Sequence, residues 1–390
     1  MSDNVTRMEP EQLPNRRGLW KKIVVFAVVV AAVCGLVALI LFSDGLNLDS
    51  LRRWVKYMNV SGDGSYGVYT FDSHSSNRYE SFGDGLAVAS VSGLTVFDEQ
   101  GEELFSLQKQ MALPQLQVRG DLAMVYDVGG GSLLALHRQN GEVLRLEENR
   151  AILDADLSDG GYLCTSSSAS GYKSVLSVYN GSQNLTYRWL SSTTYIPLCT
   201  VSADGRWLAA VGLGQSGGAF ESSLLLFRTD SEEIQRSVSL GSQLIYDLMF
   251  VGDKTICAVG ETSVRFLSLD GELLGSYAYE DRYLKDFTDG GDGFLTLAVN
   301  MYRAGNRYTL VTVDEKGREL ASVYLGQEIL DLSACGRYIA ALTPEGLTVY
   351  TQSLSVYAET VDTGSATSVV MRKDGSVLLL GNGQGKLYLP

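Results

Sequence analysis

Two hairpin phrases that alternate along the chain, a period of roughly 40–45 residues between their returns, and one uncharged run of twenty residues near the N-terminus predict the architecture. It is an all-β protein: a β-propeller of four-stranded antiparallel blades, eight by the count below and seven as the alternative, with an N-terminal transmembrane α-helix. At 390 residues, 45% hydrophobic and 19% charged, the chain is globular rather than disordered, and long enough to be several domains or one repetitive one. Its 45 acidic residues against 31 basic give a net charge of −14, which excludes a nucleic-acid partner for want of a basic face to displace counterions. Two isolated His and five unclustered Cys offer no zinc-ligand spacing, so neither a metal nor a cofactor is expected.

Taken in order, residues 1–22 form a cytoplasmic tail carrying Arg7, Arg16, Arg17, Lys21 and Lys22. Residues 23–42, IVVFAVVVAAVCGLVALILF, are long enough at 1.5 Å per residue to span the ~30 Å hydrocarbon core. The preceding cations place the N-terminus in the cytoplasm and everything after the helix outside. A cleavable signal peptide is the rival, but the apolar core exceeds the usual 7–15 residues and no A-x-A site follows Phe42. Ala27, Ala31 and Gly35 fall on one helical face at four-residue steps, the small-residue spacing that lets two backbones approach in a homodimer. The connector, 43–65, repeats Leu48, Leu51, Val55 and Met58 at helical spacing, either as an interfacial helix with Trp54 and Tyr57 at the headgroups or as a helix packed on the domain. Removing the five basic and three acidic residues ahead of the helix leaves 26 basic against 42 acidic, so the exported part carries −16.

From residue 66 to 390 the chain reads as an extracytoplasmic β domain. One phrase is an apolar residue, Ser or Thr, a Gly turn, an aromatic and a second apolar run: Leu157 to Leu163, Val201 to Leu208 and Leu332 to Ile339, with weaker copies at Phe287 to Phe294 and Met371 to Leu378. Gly supplies positive φ, and Asp or Ser closes the turn between two strands. A second hairpin phrase follows, as in LTVFDEQGEELFSL from Leu94 and TLVTVDEKGRELASV from Thr309. Full units lie near 78–108, 115–147, 151–190, 195–239, 243–278, 283–324 and 328–358. Residues 366–389 supply only three further strands, while Tyr66 to Asp72 is an orphan strand; joining them completes an eighth blade and hides the edges of an open array.

VSADGRWLAAVG, Val201 to Gly212, resembles the strand-turn-strand of WD-repeat and TolB-like propellers, and the D-x-x-G-E-x-L phrases resemble the outer hairpin of quinoprotein repeats. Basic tail, single helix and propeller together resemble an uncharacterised family of membrane-anchored propellers in Gram-positive bacteria, over residues 20–390. The chain departs from these patterns in lacking the WD dipeptide and GH pair, and in having only Trp189 where quinoprotein repeats place a recurrent Trp.

Several motifs dissolve in context. The GxGxxG of Gly212 to Gly217 is followed by another apolar strand rather than a helix, so it reads as a long hairpin loop in blade four and not as a dinucleotide site. GQSGG in the same stretch matches a nucleophile elbow, but no His follows residue 137 to complete a triad, and Ser170 with Lys173 lacks the companions of an SxxK enzyme. Asn59, Asn180 and Asn184 begin N-x-S/T triplets that their turn setting explains. Cys164, Cys199 and Cys257 sit in apolar strands and Cys335 in a turn; buried single thiols are expected, with Cys164 and Cys199 on successive blades the one pair to test.

The surviving candidate site is a set of carboxylates. First strands align to put Asp156, Asp247, Asp286 and Asp331 at equivalent places around the central channel. Either they form a negative collar that binds a cation or a basic peptide, or each accepts backbone N–H bonds and pins its blade. The expected function is a membrane-anchored, non-enzymatic platform at the cell envelope that binds a protein or ligand through the loops of a rigid ring. The alternative is an envelope enzyme, a quinoprotein-like oxidoreductase or a glycan-cleaving enzyme with acids at the channel mouth.

Overall fold

The computed structural model of the chain describes residues 21, 22, 24–33, 35, 53, 56–58, 68–147 and 149–390. It divides into two compact units, 1–59 and 60–390. In the first, residues 21, 22, 24–33 and 35 are helical, and the side chains of Val25 and Phe26 are 62% and 70% exposed. Among the described residues no helix is long and apolar enough to cross a membrane. Ile23, Cys34 and 36–42 of the expected span lie outside the described residues, as do Leu48, Leu51, Trp54, Val55 and Asn59. Ala27, Ala31 and Gly35 are helical and exposed.

The second unit is eight four-stranded antiparallel sheets, which we number as blades 1 to 8 with strands a to d from the axis outward. Blades 1 to 7 occupy 78–108, 114–147, 152–191, 195–241, 245–278, 283–324 and 331–360, within a few residues of the units read from the repeat. First strands of neighbouring blades meet each other, which makes them the inner wall of the ring. Burial follows strand position. Strands b lose water from both faces and read as unbroken apolar runs, as in Gly85–Ser90 and Val377–Gly381. Strands d at the rim alternate, as in Glu103–Gln108 and Leu273–Ala278. Eight apolar clusters form, one at each junction between adjacent blades.

Blade 8 is made from both ends of the chain. Its strands a to c are Ser368–Met371, Val377–Gly381 and Gln384–Tyr388, and its strand d is Tyr69–Thr70, paired Tyr69 to Gly385 and Thr70 to Gln384. Phe71 N–H extends the pairing to Gly383 O at 2.9 Å. The closing strand is therefore shorter than the Tyr66 to Asp72 run expected, with Tyr66 and Gly67 outside the described residues. Tyr69 is fully buried, edge-on to Phe97 of blade 1 at 5.9 Å, and its hydroxyl accepts from Arg372 Nη2 at 3.0 Å. The same nitrogen donates to Gly85 O at 3.2 Å, so one buried guanidinium links both chain ends and blade 1.

Turn chemistry repeats as the phrases required. In the a–b turn of blade 4 the N–H of Trp207 donates to Ser202 Oγ at 3.0 Å, while Ser202 donates to Asp204 Oδ1 at 2.7 Å. In the c–d hairpins Asp98 Oδ1 accepts from Gln100 and Glu102 N–H, and Asp314 Oδ1 from Lys316 and Arg318 N–H, all at 2.9 Å. Asn180 does the same for Ser182 and Asn184, the turn role that accounts for those triplets. One expectation is corrected. The Gly-rich stretch of blade 4 is no loop but the end of two ten-residue strands, Trp207–Ser216 and Ala219–Arg228, paired throughout. Gly217 and Gly218, at φ +60° and +86°, make the tight turn whose twist lets the ladder continue to its tip.

Candidate functional site

Strand a of each blade has one edge facing the channel wall of the next blade, and its backbone N–H groups need acceptors there. Side chains two residues apart on the preceding strand supply them. Asp154 Oδ2 accepts from Cys199 N–H at 2.8 Å, and Asp156 Oδ2 from Val201 N–H at 3.3 Å and the Thr200 hydroxyl at 2.7 Å. On the other side of the ring Asp331 Oδ2 accepts from Val369 N–H at 2.7 Å and Ser333 Oγ from Met371 N–H at 3.0 Å. Thr288 and Gln117 serve the N–H groups of Ala334 and Leu157 in the same way.

This spacing corrects the expected collar. Asp331 corresponds to Asp154, and Asp156 corresponds to Ser333. Asp154, Asp247 and Asp286 each follow a register shift in their pairing with strand b, at Ile152/Asp154, Ile245/Asp247 and Leu284/Asp286. The equivalent set is therefore Asp154, Asp247, Asp286 and Asp331, with Asp156 two residues further along the wall. The sequence offers both aspartates of Leu153-Asp154-Ala155-Asp156, and a bulge invisible to alignment decides between them.

The carboxylates differ in what they touch. Asp154 also accepts from the Tyr126 hydroxyl of blade 2 at 3.0 Å, so it joins three blades. Among the described residues Asp247 and Asp286 accept only from the N–H of the residue after each, Leu248 at 2.8 Å and Phe287 at 2.9 Å. Burial pushes both up to about 7; Asp289, Asp154 and Asp156 add repulsion on Asp247, and Asp331 on Asp286. Asp154 and Asp331 rise to about 6, burial again leading and backbone donors opposing it.

Two residues that sequence reasoning missed close one end of the channel. Arg119, the last residue of strand a in blade 2, reaches across to blade 6, where its Nη2 lies 3.3 Å from Asp289 Oδ2; its Nε is 3.8 Å from Asp159 Oδ1. Blades 2 and 6 are four apart in a ring of eight, hence opposite. Around this pair lie Glu80, raised to about 7 by burial despite Arg119, and Asp156. On either side are cavities of 440 Å³, floored by Met249, Phe266 and Phe294, and 400 Å³, beside Glu80, Ser333 and Asp331. No pattern in the QLQVRGD stretch marks Arg119 out. Among the described residues no group of three or more His, Cys, Asp or Glu is arranged to hold a metal ion.

The opposite end of the ring carries exposed apolar side chains. Strands a start there and b–c loops turn there, so the starts of blades 5 and 6 bring Leu244, Tyr246 and Tyr283 beside Met301 and Tyr302, which follow strand b of blade 6. Tyr246, Met301 and Tyr302 are 48%, 52% and 50% exposed. The loop is built rather than loose. Buried Asn300 donates to Gly305 O at 2.7 Å and accepts from Tyr302 N–H at 3.3 Å, Lys285 Nζ donates to Arg303 O, and Arg303 and Arg307 stack over Tyr283 and Tyr302.

The fold has solved counterparts. The C-terminal WD40 domain of Sif2 superposes with a TM-score of 0.58 at 12% identity, covering 82% of this chain and 97% of that one. The β-propeller domain of Cps50 (Swd1) from Myceliophteria thermophila gives 0.48 at 12% identity, over 82% and 99% of the two chains. The WD40 repeats of RRP9 give 0.46 at 9% identity, over 68% and 85%. No curated protein sequence matches the chain. A family model matches residues 57–383, and the chain therefore belongs to the family of unknown function DUF5711.

Proposed function

We propose that the protein is a non-enzymatic binding platform, tethered by its apolar helix to the cytoplasmic membrane with the propeller outside. The β-propeller is a fold typical of protein-interaction platforms. The observation that carries the binding reading is the exposed set of Leu244, Tyr246 and Tyr283 at the starts of blades 5 and 6, with Met301 and Tyr302 on a fixed loop at the same end of the ring. Tyr presents large contact area at small entropic cost, Met adapts to the shape of a partner, and a loop already ordered by Asn300 loses little more on docking. Supporting the tether are the uncharged run of 23–42, its basic flank and the exposed apolar side chains of the described helix. The channel carboxylates are read as scaffold, because Asp154, Asp156 and Asp331 spend their oxygens on the next blade.

Crosslinked cells expressing the full chain test both parts. A partner captured by the native protein is expected to be lost with Tyr302→Ser and Met301→Ser and kept with Arg206→Ala at the other end; capture insensitive to the first two refutes this face. Protease added outside wall-less cells should remove the propeller and spare the tail, and a protected propeller reverses the topology.

A further inference from the structure

Cys164 lies in strand b of blade 3 and Cys199 in strand a of blade 4. Their Sγ atoms are 3.5 Å apart, and both thiols are reduced and fully buried in one apolar cluster. The approach is fixed by the channel wall. Asp154 and Asp156 hold the backbone on and after Cys199, and Asp156 is the residue that faces Cys164 across the a–b pairing. Two carboxylates of blade 3 thus clamp the Cys199 segment against the strand that carries Cys164. Cys257 and Cys335 sit in blades 5 and 7, away from this junction.

We propose that Cys164 and Cys199 are a covalent modification site, joined as a disulfide between blades 3 and 4 when the propeller folds in an oxidising compartment. The 3.5 Å gap has to shorten to the ~2.05 Å of a bond. Burial raises both thiols above their ordinary value, which suppresses the thiolate in the finished fold, so the bond forms while blade 4 is still docking. The oxidant is an external disulfide, that of an oxidoreductase or of oxidised glutathione. The thiolate of one cysteine attacks a sulfur of that disulfide and expels one thiol. The second cysteine's thiolate then attacks the mixed disulfide and expels the other. Two electrons pass to the external disulfide, and the two cysteine protons end on the thiols released. The bond closes a 35-residue separation, spanning most of one blade repeat.

The full chain, unfolded with reductant and refolded in mixed oxidised and reduced glutathione, tests this without recourse to the topology proposed above. Non-reducing peptide mapping is expected to find Cys164 linked to Cys199, and the melting temperature to rise by about 5 °C over the reduced protein. Cys164→Ala and Cys199→Ala should each abolish the linked peptide and the rise. Should either variant fail to fold, mapping of the native chain alone decides. Both cysteines recovered as free thiols after oxidative refolding, or linked to other cysteines, overturn the proposal.

Discussion

Asp156 and Asp247 look alike in the sequence and have opposite consequences for stability. Asp156 is an acceptor for the next blade, so Asp156→Ala strands the Thr200 hydroxyl and the Val201 N–H and should cost roughly 1–3 kcal/mol at any pH near neutrality. Asp247 meets other carboxylates and one N–H of its own strand; burial and that repulsion penalise its charge. Asp247→Asn should therefore stabilise, by more at pH 8, where the native carboxyl is ionised against that penalty, than at pH 5, where only the unfolded carboxyl is ionised. Urea titrations of the two variants at both pH values separate these effects, and a loss on Asp247→Asn at pH 8 contradicts the account. The carboxylates of the wall were legible as residues, since polar groups in the first strand of a repeat have only the channel or a neighbour to face. Which oxygen meets which N–H was not, because that depends on bulges that shift the register by one.

Strands and hairpins were the most legible level. Asp-x-x-Gly phrases encode their own turns through side-chain acceptors such as Asp98 and Asp314, and the long apolar b strands follow from burial on both faces. Blade 4 misled for a local reason: Gly is as suited to a tight turn at a strand tip as to a loop, and nothing in Gly212 to Gly218 tells the two apart without the pairing partner. The closing strand was inferred from an incomplete last unit, a count rather than a motif. Its two paired residues have an outsized role, since Tyr69 fills the junction of blades 8 and 1 and receives Arg372. Deleting residues 68–72 should leave edges open on blade 8 and the propeller prone to associate, seen as aggregates in light scattering at concentrations where the native chain is monodisperse. A deletion product that stays dispersed and melts like the parent removes the strand from the ring.

For the molecule as a whole, the buried wall makes stability depend on pH in an unusual direction. Glu80, Asp247 and Asp286 are raised to about 7, Asp154 and Asp331 to about 6, whereas in the unfolded chain such groups titrate near 4. Between those limits the folded state holds more protons than the unfolded one, so its stability falls as pH rises from about 4 to 7 and levels off above. Rim carboxylates paired with Arg or backbone donors, Glu142 and Asp314 among them, are lowered and act the opposite way only at more acid pH. A melting temperature that is highest near pH 4 and drops toward pH 8 is the expected profile, and a monotonic rise from pH 4 to 8 rules out the buried set as its main determinant.

The ion pair of Arg119 and Asp289 has one more consequence, which concerns parity. Only a ring with an even number of blades gives each blade a counterpart across the axis; with seven or nine, the guanidinium would point at a gap between two blades. Propellers of this architecture grow and shrink by duplication or loss of whole repeats, and here a single such event would part Arg119 from Asp289 and leave it Asp159 of the neighbouring blade. The blade count is thus written twice, once in the shared eighth blade at the rim and once along the diameter. A descendant that changed it by one would give up the pairing of Arg119 with Asp289 in the same step.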